Sequence, residues 1–401
     1  MGGKATSQTA RVMFVYWGRR GALPQFTFEV ARAALADPEI ESCISVSRQT
    51  ENFTDYARFG AALFPVDTFQ SGVGAAMQMH RILLLRRQLY ERLRADRTQA
   101  VIELMPHIWS PFIMPVVSAA GVRYATVVHD ADAHPGDRTS WVKMIIDRTI
   151  PLADPVLTLS TQVADRLAET GRVENTKLRT LFHPDLTYGN CRQKEPPSSG
   201  EPWRLLFLGR IMPYKGLGLF LDTVELLQQE GISVTVGVFG EGPLGENAAR
   251  LLQMGAEIVN RWLTSEEIAA ALDHYHAVVL SHTEASQSGV AASAFGAGVP
   301  VVATPVGGLV EQVVDGVTGI LAQRANAIHL SAALKRLFEP QMYRATCASL
   351  QRRGDGHSMR RFVTDIVSCT VEADTHREDG NRGRSNRAPN RDRLIHSKIN
   401  D

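Results

Sequence analysis

From residue 204 onward the chain repeats one pattern, a short apolar run followed by a stretch with apolar residues at helical spacing, and four of the five connecting turns contain glycine. The runs are 204–208, 233–239, 257–260, 277–281 and 300–304. The helical stretches are 216–230, 244–254, 265–275, 289–297 and 308–315, with 315–319 as a closing turn. Apolar residues on consecutive strand positions imply burial on both faces, and a helix between successive strands makes those strands parallel. The pattern predicts a complete doubly wound α/β domain over 203–352.

The first part of the chain follows the same plan less densely. An apolar run at 12–17 leads to Gly18-Arg19-Arg20-Gly21, after which Phe26, Val30, Ala33 and Leu35 recur at helical spacing. Further short runs lie at 100–104, 123–129 and 156–159, and 401 residues suffice for two ordinary cores. A first domain over 1–187 is therefore expected. A linker follows at 188–202, where Gly, Asn, Gln, Lys, Pro and Ser dominate and periodicity stops. Beyond the second domain, 353–371 reads as a helix returning toward the first, and 372–401, almost without large apolar residues, as a disordered tail.

Lys plus Arg number 43 against 42 Asp plus Glu, so no whole-protein field draws in nucleic acid, and none is expected as a partner. Cys43, Cys191, Cys347 and Cys369 have neither paired nor metal-ligand spacing, which fits structural thiols in a reducing compartment. The polar residues 1–11 lack the apolar core of a signal peptide, and no run approaches the roughly 18 apolar residues of a membrane span. A cytoplasmic location is the expectation.

Open parallel sheets bind ligands at the carboxyl ends of their strands, where helix N-termini offer N–H groups to phosphate. The second domain places four distinctive turns there. Gly209-Arg210-Ile211-Met212-Pro213-Tyr214-Lys215-Gly216 combines a close backbone approach with two cations suited to a diphosphate, although by itself it reads first as a solvated basic turn. Phe239-Gly240-Glu241-Gly242-Pro243 permits a sharp turn beside it. In Glu284-Ala285-Ser286-Gln287-Ser288-Gly289-Val290, the N–H groups of Ser288, Gly289 and Val290 would form an anion site at a helix start and Glu284 would meet sugar hydroxyls; the plain alternative is a Ser/Gly cap with an exposed Glu. Val306-Gly307-Gly308 with Glu311 is the fourth.

Taken in order, these turns, together with Gly298-Val299-Pro300-Val301-Val302, resemble the signature of group 1 (family four) glycosyltransferases. The resemblance is specific over 204–322 and weaker over the first domain. It implies a GT-B architecture, two doubly wound Rossmann-like domains facing a central cleft, and transfer of a sugar from a nucleotide sugar to a glycan, lipid-linked or small-molecule acceptor with retention. It further implies that Arg210 and Lys215 stabilise the departing nucleoside diphosphate without a metal or other cofactor, that Glu284 faces the donor sugar, and that Gly289 and Val290 start the helix over the phosphates. One departure stands out. The family's second glutamate, which holds the ribose, falls on Ala292, or on Ser293 when the register is counted back from Pro300. That leaves Ser293 as the candidate ribose contact. It also leaves room for a non-catalytic binding subunit, or for a same-fold epimerase or phosphorylase.

In the first domain, His129-Asp130-Ala131-Asp132-Ala133-His134 follows a strand. The cluster invites a metal reading, but its tight spacing fits a designed site poorly, and no metal is expected. The resemblance instead implies that His129 lies in the cleft beside the donor sugar, with Asp130 and His134 as helpers. It places Gly18 and Gly21 at the other strand edge, where Arg19 and Arg20 either meet an anionic acceptor or are solvated. Residues 80–97 interleave Arg with Leu and Ile, which reads first as a core-packing helix with a charged outer face and second as a peripheral contact with the inner face of a membrane.

Overall fold

A computed structural model describes residues 9–69, 78, 80–132, 140–188 and 194–371, the side chains of 140–143 and 355 excepted. The expected tail 372–401, the centre of the linker, Cys191 and His134 lie outside the described residues.

The first seven strands are β1 (Ala10–Tyr16), β2 (Ile40–Ser47), β3 (Leu63–Val66), β4 (Ala100–Glu103), β5 (Arg123–Val128), β6 (Val156–Thr158) and β7 (Leu178–Thr180). They form one parallel sheet in the order β3-β2-β1-β4-β5-β6-β7. The second sheet contains β8 (Trp203–Leu208), β9 (Val234–Phe239), β10 (Glu257–Val259), β11 (Ala277–Leu280), β12 (Val301–Ala303) and β13 (Gly319–Leu321). These strands are also parallel, in the order β10-β9-β8-β11-β12-β13. Strand order reverses between β1 and β4 and between β8 and β11, and crevices open at such reversals. The turns after β1, β8 and β11 are therefore where ligands are to be sought.

Helices cover both faces of each sheet. On one face of the first sheet, Met13, Val15 and Val101 pack against Ile82, Leu85, Leu89 and Leu93 of the helix Arg81–Ala95. That helix is thus a core-packing element, while Leu83 and Leu84, 73% and 58% exposed, look outward. On the other face, Phe14, Ile44 and Ile102 meet Phe26 and Val30 of the helix Leu23–Leu35. The same cluster holds Phe362, Val363 and Ile366 of the helix Met359–Val371. Each such side chain contributes about 1.5–3 kcal/mol when fully buried. The last described helix therefore belongs to the first core, and the chain passes between the domains twice.

Ala292 of the second domain is also buried in this cluster, and its carbonyl accepts the N–H of Leu186 at 3.1 Å. Ser293, the next residue, turns into the cleft. Of the two positions that could stand for the missing glutamate, Ala292 is the apolar interdomain contact and Ser293 the cleft residue.

Candidate active site

The turn after β8 is fixed by its neighbours. Ser281 Oγ donates to the carbonyls of Lys215 and Gly216 at 3.0 and 2.9 Å, and the Thr283 N–H donates to the Tyr214 carbonyl at 2.7 Å. The turn after β9 leans directly on it: Gly240 has φ +148°, and a Cβ there would fall 2.0 Å from the Gly209 carbonyl oxygen. Only glycine admits both that conformation and that approach.

This packing leaves Arg210 exposed at the mouth and sets Lys215 deeper, its Nζ 3.2 Å from His282 Nε2 and 5.6 Å from the centre of the Tyr214 ring. Burial, helped by the Arg210 guanidinium and opposed by Asp130, pushes the Lys215 amine down to about 8. An ammonium desolvated and repelled in this way gains most when an anion arrives.

The helix Gly289–Gly296 starts at the same place. Ser288 is its N-cap, with Oγ accepting the Ala291 N–H at 3.2 Å. Ser288 lines the cleft, but its own N–H does not face a ligand: it donates to Gln312 Oε1 at 2.6 Å. The expected three-donor anion site is corrected to two, Gly289 and Val290. Both line the cleft, and the first N–H groups of a helix have no intrahelical partner. Ser293 Oγ donates back to the Gly289 carbonyl at 2.8 Å and also contacts the Tyr188 hydroxyl.

The cleft, of about 780 Å³, draws its walls from both domains. Gly21, Arg20, His129 and Asp130 come from the first, and Gly209, Arg210, Lys215, Gly240, Ser288, Gly289, Val290 and Ser293 from the second. Three expected site residues are elsewhere. Gly18 packs on its neighbour's ring, a Cβ there falling 2.5 Å from Tyr16 Oη, and Gly242 donates its N–H to Asn260 Oδ1 at 3.1 Å. Glu284 is exposed and borders an adjoining interdomain hollow of about 670 Å³ with Asp132, Asp165 and Arg166.

His129 ends β5. Its Nε2 lies 2.8 Å from the Leu104 carbonyl and its Nδ1 2.7 Å from the Gln287 side-chain amide, so both ring nitrogens are engaged with protein. Burial pushes its pKa down, against the Leu104 carbonyl and Asp130. His183 lies nearby and burial takes it down to about 4; Phe26 stands edge-on to both imidazoles. Glu51 and Trp262, which sequence reasoning missed, meet across the cleft: burial pushes the Glu51 carboxyl up, and the Trp262 indole, Arg20 and the Gly21 N–H oppose it. Trp262 lies three residues past β10, on the carboxyl side of its sheet, a position that marks it; Glu51 lies four residues past β2, a strand with a poor apolar signal.

Behind the cleft the domains are joined by a helix cap. The Glu311 carboxylate of the second domain accepts from the Thr161 N–H at 2.7 Å, Thr161 Oγ1 at 2.8 Å and the Gln162 N–H at 3.0 Å, the first turn of the helix Thr161–Glu169. Ser160 Oγ adds a bond of 3.0 Å to the Ser286 carbonyl.

Two parallel, doubly wound domains with a glycine-lined cleft between their carboxyl edges define the GT-B class. Residues 202–340, nearly the whole second domain, match the family model described as Glycosyl transferases group 1. D-inositol 3-phosphate glycosyltransferase of Geodermatophilus obscurus is 31% identical over 42% of this chain and 40% of its own length, so the two share less than half of either protein. Among solved structures, a glycosyltransferase of Rickettsia africae superposes with TM-score 0.66 at 15% identity, covering 90% of this chain and 98% of its own. HepE of Anabaena, in complex with UDP-glucose, gives 0.64 at 13% identity, covering 90% and 99%. At these identities the likeness is one of fold. Among the described residues, no three His, Cys, Asp or Glu side chains are grouped to hold a metal ion, and no helix is long and apolar enough to cross a membrane.

Proposed function

We propose that this chain is a glycosyltransferase that binds a nucleotide sugar in the interdomain cleft and transfers the sugar, with retention, to a hydroxyl of a glycan, lipid-linked or small-molecule acceptor. The observation that carries this reading is the convergence of Arg210, Lys215 and the first N–H groups of the helix Gly289–Gly296 on one stretch of the cleft. When the bond between the anomeric carbon and the phosphate oxygen breaks, charge accumulates on the leaving diphosphate, and donors already aimed at that point favour the transition state over the ground state. In the retaining route the acceptor oxygen attacks from the face the phosphate leaves, and its proton passes to a phosphate oxygen. Two cations in place make a divalent ion unnecessary, so full activity in excess chelator belongs to the proposal. The exposed Glu284 borders the adjoining hollow, which suits an acceptor approaching from that side.

A screen of nucleotide sugars by thermal stabilisation identifies the donor. NMR of the product then reads the anomeric configuration and the acceptor position. Donor isomerisation without an acceptor would make the protein an epimerase, strict dependence on inorganic phosphate a phosphorylase, and nucleotide binding without turnover a binding subunit. For a lipid-linked acceptor, the outward Leu83 and Leu84 beside Arg81 and Arg87 are suited to an anionic bilayer. Co-sedimentation with anionic but not neutral vesicles, lost in a Leu83→Ser, Leu84→Ser double variant, tests that contact.

A further inference from the structure

Gln287 belongs to the second domain, in the turn between β11 and the helix Gly289–Gly296, yet it makes its bond to His129 in the first. The chemistry of the three partners fixes the protons. A carbonyl oxygen only accepts, so His129 Nε2, 2.8 Å from Leu104 O, carries hydrogen. The amide nitrogen of Gln287, 2.7 Å from Nδ1, only donates, so Nδ1 is bare, takes the amide hydrogen and leaves the ring neutral. The Gln287 amide is then half used. Its Oε1 is buried and has no hydrogen-bond partner, a condition that costs about 1–3 kcal/mol. Both residues line the cleft.

We propose that Gln287 is a positioning residue that locks His129 as the neutral Nε2–H tautomer only while the two domains touch, and that its remaining carbonyl oxygen receives a hydroxyl of the donor sugar. The second clause rests on the transferase reading; the first does not. A side chain that bridges the domains ties the state of His129 to their approach, and a carbonyl with no partner is relieved by a ligand O–H and by nothing that only accepts. The cleft therefore favours a donor with a hydroxyl beside Gln287 over one carrying hydrogen or a carboxylate there. The titratable and charged groups around His129 are Asp130 on its own turn, His183 from the segment after β7, and Lys215 and Arg210 across the cleft.

The test uses the full chain and Gln287→Ala, Gln287→Glu, His129→Phe and the double variant Gln287→Ala, His129→Phe. Nitrogen-15 NMR of the imidazoles, with the His129 signals assigned by difference from His129→Phe, is expected to show a single Nε2–H tautomer in the parent and a mixture in Gln287→Ala. That readout needs neither donor nor activity. A parent already mixed, or a variant unchanged, overturns the tautomer lock even if transfer proceeds. With the donor found by screening, Gln287→Ala is expected to lower kcat/KM about tenfold, the size of one net hydrogen bond; with a donor lacking the hydroxyl beside Gln287, it is expected to have no further effect in the His129→Phe background. Gln287→Glu, whose carboxylate favours the imidazolium, should move the acid limb of the kcat/KM profile to higher pH. Losses that multiply in the double variant with the donor lacking that hydroxyl, or an unmoved acid limb, refute the positioning role. A donor lacking the hydroxyl whose loss relative to the full donor is as large in Gln287→Ala as in the parent refutes the sugar contact alone. Thermal melting of each variant separates these outcomes from misfolding.

Discussion

Replacing Glu311 with alanine removes a contact that exists only between the domains. The first turn of the helix Thr161–Glu169 has three N–H groups with protein acceptors: those of Thr161 and Gln162 reach Glu311, and that of Val163 reaches Ser160 Oγ at 3.3 Å. Losing a cap of this kind costs about 1 kcal/mol, and losing a carboxylate at a helix N-terminus about 0.3–1 kcal/mol more. The site is exposed, so water takes over the freed donors and screening holds the total near the low end, about 1–2 kcal/mol. Neither domain core contains Glu311, so the whole effect falls on the equilibrium between touching and separated domains, a shift of about five- to thirtyfold toward separation. Fluorescence energy transfer between one label in each domain should report the shift directly. The donor KM should rise by a similar factor, with kcat at saturation nearly unchanged, and Glu311→Gln, which keeps an acceptor but not the charge, should fall between. An alanine variant with the parent's transfer efficiency and KM, or one whose second domain melts earlier, would refute the reasoning.

Three further outcomes are expected. Lys215, pushed down to about 8, holds its proton below that pH and loses it above, so donor affinity should fall about tenfold per pH unit as pH rises past 8, and Lys215→Arg, which stays charged, should flatten the curve in an equilibrium titration. Phe362→Ala should destabilise the first domain by about 3–5 kcal/mol, measured by denaturant unfolding with probes in each domain, while the second keeps its midpoint. Ala292→Glu should lower the melting temperature by burying a charge against the first-domain core, whereas Ser293→Glu should fold normally; equal stability of the two would contradict the register assigned here.

Much of the second domain was legible because β8, β9, β11 and β12 each combine an apolar run with a glycine-containing turn beyond the carboxyl end, and β10 is set off by helical stretches on either side. β13 has only three residues and opens on Gly319, where the closing turn at 315–319 ends, so spacing does not mark it as a strand. In the first domain, β2 hid because serines interrupt its apolar run; Ser45 accepts the Trp17 indole N–H at 3.0 Å, and Ser47 bonds Thr68 at 2.6 Å, so these polar residues are buried without penalty. β3 carries Pro65 at the sheet edge, where no ladder donor is needed. The phosphate half of the candidate site could be anticipated from Arg210, Lys215 and the helix start. What sequence spacing does not encode is contact across the cleft. The partnership of Gln287 with His129, of Glu51 with Trp262 and of Glu311 with a helix start all depend on how the domains approach.

The helix Met359–Val371 has an implication for how the protein is made. Synthesis runs from the first residue to the last, so strands β1 to β7 emerge long before Phe362 and Ile366, the side chains that complete one of their two cores. The second domain, whose strands are contiguous in the chain, can form while the first is still waiting with an apolar face uncovered. The first domain is begun early and finished late, and the interval between is when a nascent chain of this design most needs protection from aggregation.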